Sequence, residues 1–542
     1  MKTIGHYLIK IAEFSLVLIF SCYLVISLEP RTINVKQSII QSLPAKILVP
    51  PETISQSNLT EHKSKVAHER IQQAIDDRAL ELNLSDLQLE EIPPEVFQLT
   101  QLEKLNLSRN RLVKIPAEIF QLSNLKELDF YANRITSLPK EIGNLNKLVE
   151  FDIGYNLITQ IPSTLDRLSD LEYLNIGGNK ISLILYPISK LSQLQVLNIS
   201  GNNLLYISPE LGKLKNLQEL DLRGIGLEVL PSYVYHLSSL RALFLAGNNL
   251  TELSPEISRL TNLEYFYPNQ NNLLRLPTEI SQLKKLKYLS LSNNQFSEFP
   301  QEIRKLVNLE SLIIDGNRIT KIPCEIGELA NLKRLEVSSN PLSSISSEIG
   351  NLKNLKLLYL RDTKLNELPS EINRLKNLTS IFLGGNDNLE SLISELPNLE
   401  SLQTLNLDLT DFNLNSVPSE IFDLKKVTRL SIARANLNQI SADIGKMANL
   451  RHLDLSNNNL TELPLELANL KQLESLRLNS NRISLFPIQI MELNKLITVD
   501  LSDNKIEKLP KQLERLSHIK TIYLHSNPLP RGVPRIITKQ DN

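Results

Sequence analysis

The side chains that could carry reaction chemistry are few and scattered. Histidines occur at positions 6, 62, 68, 236, 452, 518 and 525, and cysteines at 22 and 324. No His or Cys stands at a zinc-ligand spacing, and the step from His62 to His68 does not return to one helical face. Cys324 would need a neighbouring His to act as a nucleophile, and His236 and His452 are several repeats away, so it reads as an ordinary small residue. The patterns G-x-x-x-x-G-K-[ST], G-x-S-x-G and H-E-x-x-H are absent. Asp129 and Asp152 could serve acid–base work or calcium, but carboxylates recur at that place as part of a repeated pattern. The chain therefore reads as non-enzymatic, with no cofactor and no metal. The chemistry it does offer is recognition. Phe244, Tyr267, Ile313, Tyr359 and Phe382 occupy one recurring position, where the first seven repeats all carry Asp or Asn. Tyr265, Tyr288 and Leu357 stand two residues before that column, and Arg241, Arg334 and Arg361 edge it. Aromatic side chains rimmed by arginine are the composition of a protein-binding hot spot. The rival reading is that the rings only pack on one another across a sheet.

What would bring these residues side by side is a repeat. One copy runs Leu102-Glu-Lys-Leu105-Asn-Leu107-Ser-Arg-Asn110-Arg-Leu112-Val-Lys-Ile115-Pro116, and its counterparts recur every 23 residues from Ala79 to Leu378. Six more units start at Leu402, Val427, Leu450, Leu473, Leu496 and Ile519, which makes 20. A period of this length buries its leucines only by stacking one unit on the next. L-x-x-L-x-L has strand alternation. The Asn that follows (Asn110, Asn133, Asn156, Asn179, Asn202) can both donate to and accept from backbone groups that leave the sheet. The later spacing, as in Leu138-Pro139-Lys-Glu-Ile142-Gly-Asn-Leu145, suits a short helix or turn begun by Pro.

The pattern breaks in places that are open to test. The step from Leu378 to Leu402 is 24 residues and from Leu402 to Val427 is 25, and Thr363, Thr410 and Ala435 replace the turn Asn nearby. A local kink or an outward bulge is expected near 386–426. Pro268 stands where an inward strand leucine belongs and should weaken pairing on one side. Ile225 replaces the Asn of its own repeat, whose backbone groups must be satisfied otherwise. Sequons such as Asn106-Leu-Ser arise from the repeat itself.

Composition narrows the partners. There are 59 basic and 60 acidic residues, a net charge of −1, and no polybasic tail, so nucleic acid is not expected. Residues 1–28 hold an apolar run from Phe14 to Leu28, preceded by Lys2 and Lys10 and followed by Glu29 and Arg31. The run reads as an export signal, an N-terminal membrane anchor through residues 11–28, or a buried apolar segment; it falls short of the ~20 apolar residues of a full span. Ile19-Phe20-Ser21-Cys22 loosely resembles a lipoprotein cleavage box, but the apolar run continues past it. The lysines on the N-terminal side put the repeats outside the cytoplasm. Residues 29–58 read as a linker, 59–78 as a helical cap with a partner-binding helix as the alternative, 79–530 as the solenoid, and 531–542 as a tail or cap.

Over about 79–530 the chain resembles the leucine-rich-repeat superfamily, in particular its 23-residue class, found in bacterial leucine-rich-repeat proteins and in Ras-suppressor and Scribble-type scaffolds. The resemblance implies an α/β fold: a right-handed solenoid, or horseshoe, with a parallel concave sheet and short convex helices or turns. Asp or Asn on the concave strand centre is ordinary for that class. The cysteine-rich caps usual in extracellular animal and plant members are missing, as are the ligase, GTPase and kinase domains of other relatives. The expected function is a non-enzymatic scaffold, exported or membrane-tethered, that takes a protein partner on its concave face. The alternatives are an intracellular Ras-suppressor-type signalling scaffold on the cytoplasmic face of a membrane, and a surface adhesin for matrix or glycan.

Overall fold

A 23-residue unit stacks because of where its apolar side chains must go. The computed structural model describes residues 56–538 apart from 185, 387, 388, 397, 398, 400, 408–416, 512–515, 517 and 535. In the unit that starts at Leu102, the side chains of Leu102, Leu105, Leu107, Leu112, Ile119 and Leu122 are all buried. None could be covered by its own unit. Together with the equivalent residues of the other units they form one apolar cluster from Ala67 to Leu529.

Each unit contributes a three-residue strand whose middle residue points inward, as in Lys104–Asn106 and Glu127–Asp129. Neighbouring strands pair in parallel, with Leu105 opposite Leu128 and Leu128 opposite Phe151. Among the described residues, twenty such strands run from Glu81–Asn83 to Thr521–Tyr523, and Ile536–Thr538 adds antiparallel to the last. The solenoid architecture expected from the repeat is the fold of this protein.

Among the described turns, the chain leaves the strand through a left-handed residue just before the turn position, which is most often Asn: Ala132 (φ 55°), Tyr155 (φ 53°), Gly178 (φ 64°) and their counterparts. This rotation turns the Asn side chain inward. Asn133 Nδ2 then donates to the carbonyls of Leu107 and Phe130, both at 3.0 Å, and its Oδ1 accepts from Leu112 N–H at 3.0 Å. Each Asn thus stitches its own unit to the preceding one. Opposite the sheet the chain makes a single 3-10 turn, such as Ala117–Gln121 or Lys140–Asn144. Only five residues separate Pro116 from Leu122, so the turn closes with short-range bonds, Leu122 N–H to Ile119 O at 3.2 Å.

The irregular units keep the ladder. Across the 24- and 25-residue steps Ser380 pairs with Thr404 and Thr404 with Arg429, so the inserted residues fall outside the strands. A short α-helix, Leu389–Ile393, replaces the 3-10 turn there. Thr410 lies outside the described residues. Pro268 does interrupt the ladder: Tyr265 and Phe266 pair with Tyr288 and Leu289, and the third pair is missing. Equivalent residues such as Leu245 donate their N–H to the next strand, to Tyr267 O at 3.0 Å, and proline has none to give.

The helix Gln56–Asp76 covers the first unit with Ala67, Ile71 and Ala74, all buried. Its Lys63 Nζ and Arg70 Nη1 donate at 2.9 Å to the carbonyls of Asp86 and Asn83, in and just after the first strand of the described ladder. The export or anchor segment 1–28, the apolar run 11–28 within it and nearly all of the linker lie outside the described residues. Among the described residues no helix is long and apolar enough to cross a membrane.

Candidate functional site

Strand alternation sends the first and third residues of every strand to the face away from the leucine core. That open face carries all the strand residues singled out from the sequence. The register places Phe244 opposite Tyr267, Tyr265 opposite Tyr288, and Tyr359 opposite Phe382. Each pair stacks: the ring centroids are 5.2, 4.9 and 4.1 Å apart, with planes within 6° of parallel. The residues that the sequence sets side by side fall into two groups. Phe244, Tyr265, Tyr267 and Tyr288 form one, and Tyr359 with Phe382 and Leu357 the other. Between them the column reads Ser290, Ile313, Glu336, and Glu336 is itself buried. The residues are also less open than expected. Each of the eleven is partly buried and none is fully exposed, because parallel strands hold each ring against its neighbour.

The arginines do not simply edge the rings. Arg241 gives its Nε and Nη2 to Glu264 Oε1 at 2.9 and 2.7 Å, and Glu264 also takes Lys287 Nζ at 2.7 Å. Arg334 pairs with Glu336 and lies over the Tyr359 ring at 5.4 Å; Arg361 lies over Phe382 at 5.7 Å and donates to Asn406. Arg223, not anticipated from the sequence, lies over Phe244 at 5.7 Å while clamping Asp221 with Nε and Nη2. Its signal was available, since it stands two residues after the column position in the repeat next to Phe244.

Burial governs the electrostatics of this face. It pushes the Tyr267 hydroxyl upward, with Tyr265 and Tyr288 adding to it. Burial and then the Glu336 charge hold Asp315 well above the usual carboxylate range. Asp152 is pushed up to about 7 by burial first and Asp129 second, although Gly154 N–H, Asn175 and Tyr173 all donate to it. Glu219 is likewise pushed up to about 7, by burial first; Arg241 opposes the rise and Asp221 adds to it. Cys324 lies on the opposite side, exposed at the start of a 3-10 turn, where Glu325 raises its thiol. The described residues contain no His, Cys, Asp and Glu grouping that could hold a metal ion. Beside the aromatic group a hollow of about 460 Å³ is lined by Gln195, Gln218, Arg241, Glu264 and Lys285, among others.

Known proteins show the same scaffold. The family model described as leucine rich repeat matches residues 80–130, 100–150, 123–181, 425–483 and 471–529. A second, described as a leucine-rich repeat region, matches 269–342 and 326–440, and a third leucine-rich-repeat model matches 193–214. No curated protein matches the chain. Among solved structures, a leucine-rich-repeat protein of Leptospira interrogans is similar at 33% identity over 79% of this chain and 98% of its own, with a TM-score of 0.55. A TDR receptor is similar at 25% identity over 80% of this chain and 86% of its own, with a TM-score of 0.52. The Arabidopsis receptor kinase HAESA, solved with the peptide hormone IDA and the co-receptor SERK1, shares the fold at 24% identity over 84% and 79%, with a TM-score of 0.55. The units, their stitching asparagines and these likenesses agree: the chain belongs to the leucine-rich-repeat family.

Proposed function

We propose that this protein is a non-enzymatic binding scaffold that takes a protein partner on the open face of its sheet, around Phe244, Tyr265, Tyr267 and Tyr288 and around Tyr359 and Phe382. The observation that carries the reading is the three stacked aromatic pairs on a face with no core of its own to fill. Rings held at fixed spacing by a ladder lose little freedom on binding, so apolar contact is gained at low entropic cost. Arg334 and Arg361 over the outer rings add polar recognition at the same spots. Likeness to a receptor supports the same class of function. We further propose that residues 1–28 export or tether the chain, with the repeats outside the cytoplasm. N-terminal sequencing that begins near Leu28 would support cleavage, and an intact Met1 in the membrane fraction would support an anchor.

The test of the binding reading replaces Tyr267, Tyr359 and Phe382 together with Ser in the full chain. Retention of peptide libraries on the immobilised protein should be lost while the circular dichroism spectrum is kept. Two stacks are removed, so a fall in stability of about 1–3 kcal/mol is expected alongside. Undiminished retention would end the proposal, and retention of a glycan array in place of peptides would move it to the adhesin class.

A further inference from the structure

Among the described residues, Glu219 is the one acidic residue of this face that the fold leaves without a donor on a buried oxygen. It lies in the strand Glu219–Asp221, between Val196 and Ala242, and is only 6% exposed. Its Oε2 is fully buried and meets no hydrogen-bond donor. A buried carboxylate oxygen without a donor is costly, and such groups are nearly always paired. The two local guanidiniums are spoken for: Arg223 clamps Asp221, and Arg241 commits its hydrogen bonds to Glu264. Asp221 in the same strand adds a second negative charge on the same side. The rise of the Glu219 carboxyl to about 7 is the same deficit seen as proton affinity.

The surroundings name the occupant. From Glu81–Asn83 to Glu219–Asp221, the open-face positions of seven strands hold seven carboxylates and the single Lys104. The next strand begins the aromatic group, with Phe244 beside Asp221 and Tyr267 stacked on it. An acidic tract that runs into rings fits a cation on an apolar stem, with its charge at the carboxylates and its stem on the rings. A metal ion fits worse, because no metal-holding cluster exists among the described residues.

We propose that Glu219 is the docking point for an arginine or lysine side chain of a polypeptide partner, which approaches across Phe244 and Tyr267. This rests on the reading of the open face as a protein-binding surface. The basic side chain sets a positive charge beside this buried carboxylate, which no side-chain donor neutralises within the fold.

The experiment uses the immobilised full chain and synthetic nonapeptide libraries with random flanks around a central Arg, Lys, citrulline or norleucine. Wild type should retain the Arg and Lys libraries about tenfold over their neutral counterparts, the weight of one charged contact. Glu219→Gln should erase that ratio and keep the retention common to all libraries, whereas Glu219→Asp should keep part of the ratio. Thermal melts confirm that both variants fold. Equal retention of Arg and citrulline libraries by wild type, or a ratio unmoved in Glu219→Gln, overturns the proposal and leaves water as the partner of Oε2. If the Tyr267, Tyr359 and Phe382 replacement still lowers all retention, only the Glu219 assignment falls. If no library is retained at all, the reading of the face falls with it.

Discussion

At the scale of single residues, the turn asparagine does the most work per atom. Asn156 donates to the carbonyls of Phe130, Ile153 and Gly154 and accepts from Ile135 N–H at 2.9 Å. Asn248 also makes four bonds, but it serves two backbone N–H groups where Asn156 serves one. Ile225 occupies the turn of the preceding unit, so Asn248 Oδ1 accepts both Ile225 N–H at 3.2 Å and Leu227 N–H at 3.0 Å. The same doubling serves Leu87 through Asn110 and Ala435 through Asn458. That is how an apolar turn residue is tolerated. Asn156→Ala should cost about 3 kcal/mol, from backbone groups left buried without partners, and Asn248→Ala about 1 kcal/mol more. Urea melts of the two variants check the order, and a reversed order would refute the account. The role of Asn was legible because one residue type recurs at one place. The left-handed residue before it was not, because Ala132, Tyr155, Ser480 and Asp503 share the conformation without sharing a type.

At the scale of elements, the strand is short and gains its stability from its neighbours. Edge charges repeat this logic: Lys104 lies between Glu81 and Glu127 at 3.3 and 3.0 Å, and Lys126 meets Glu103 at 2.8 Å, all across 23 residues. These pairs are largely exposed and individually weak. Pro268 removes one pair from the ladder, as its position in the sequence foretold. Pro268→Leu should restore the N–H bond to the carbonyl of Ser290 and raise stability by about 1 kcal/mol, read as a higher urea midpoint. No gain, or a loss, would mean that the ring fits a pocket that leucine overfills. The longer steps near 386–426 were visible as counts, yet the unbroken pairing through them was not, since sequence length alone does not say which residues leave the ladder.

At the scale of the whole molecule, the open face carries carboxylates whose burial sets its response to pH. Asp152 and Glu219 have ordinary values of 3.8 and 4.5 and are each raised to about 7 in the fold. Between about pH 4 and 7 the folded chain therefore binds more protons than the unfolded chain, so stability falls as pH rises through that window. His452, lowered by burial and by Arg429, works the other way below about 6.5, because the unfolded state then takes up its proton more readily. Glu264, held low by Lys287 and Arg241 against its burial, matters only below its ordinary value of 4.5. The melting temperature should rise as pH is lowered from 8 to 5. The double variant Asp152→Asn, Glu219→Gln should be more stable than wild type at pH 8 and show a flatter profile. A wild-type profile that falls over the same range would contradict it.

A strict repeat determines the fold from the sequence alone, because each unit's leucines have nowhere dry to go except against the next unit's. It also determines which residues face outward together, since alternation and a constant offset leave one choice of neighbour. What only the tertiary structure decided is how those outward side chains spend their polar and apolar surface. Tyr359 and Phe382 stacking, Arg241 turning to Glu264, and Glu219 sinking beside Ala242 without a donor each depend on rotamers and on neighbours from three strands at once. Periodicity fixes positions along a ladder, whereas burial of a single oxygen is a property of everything packed around it.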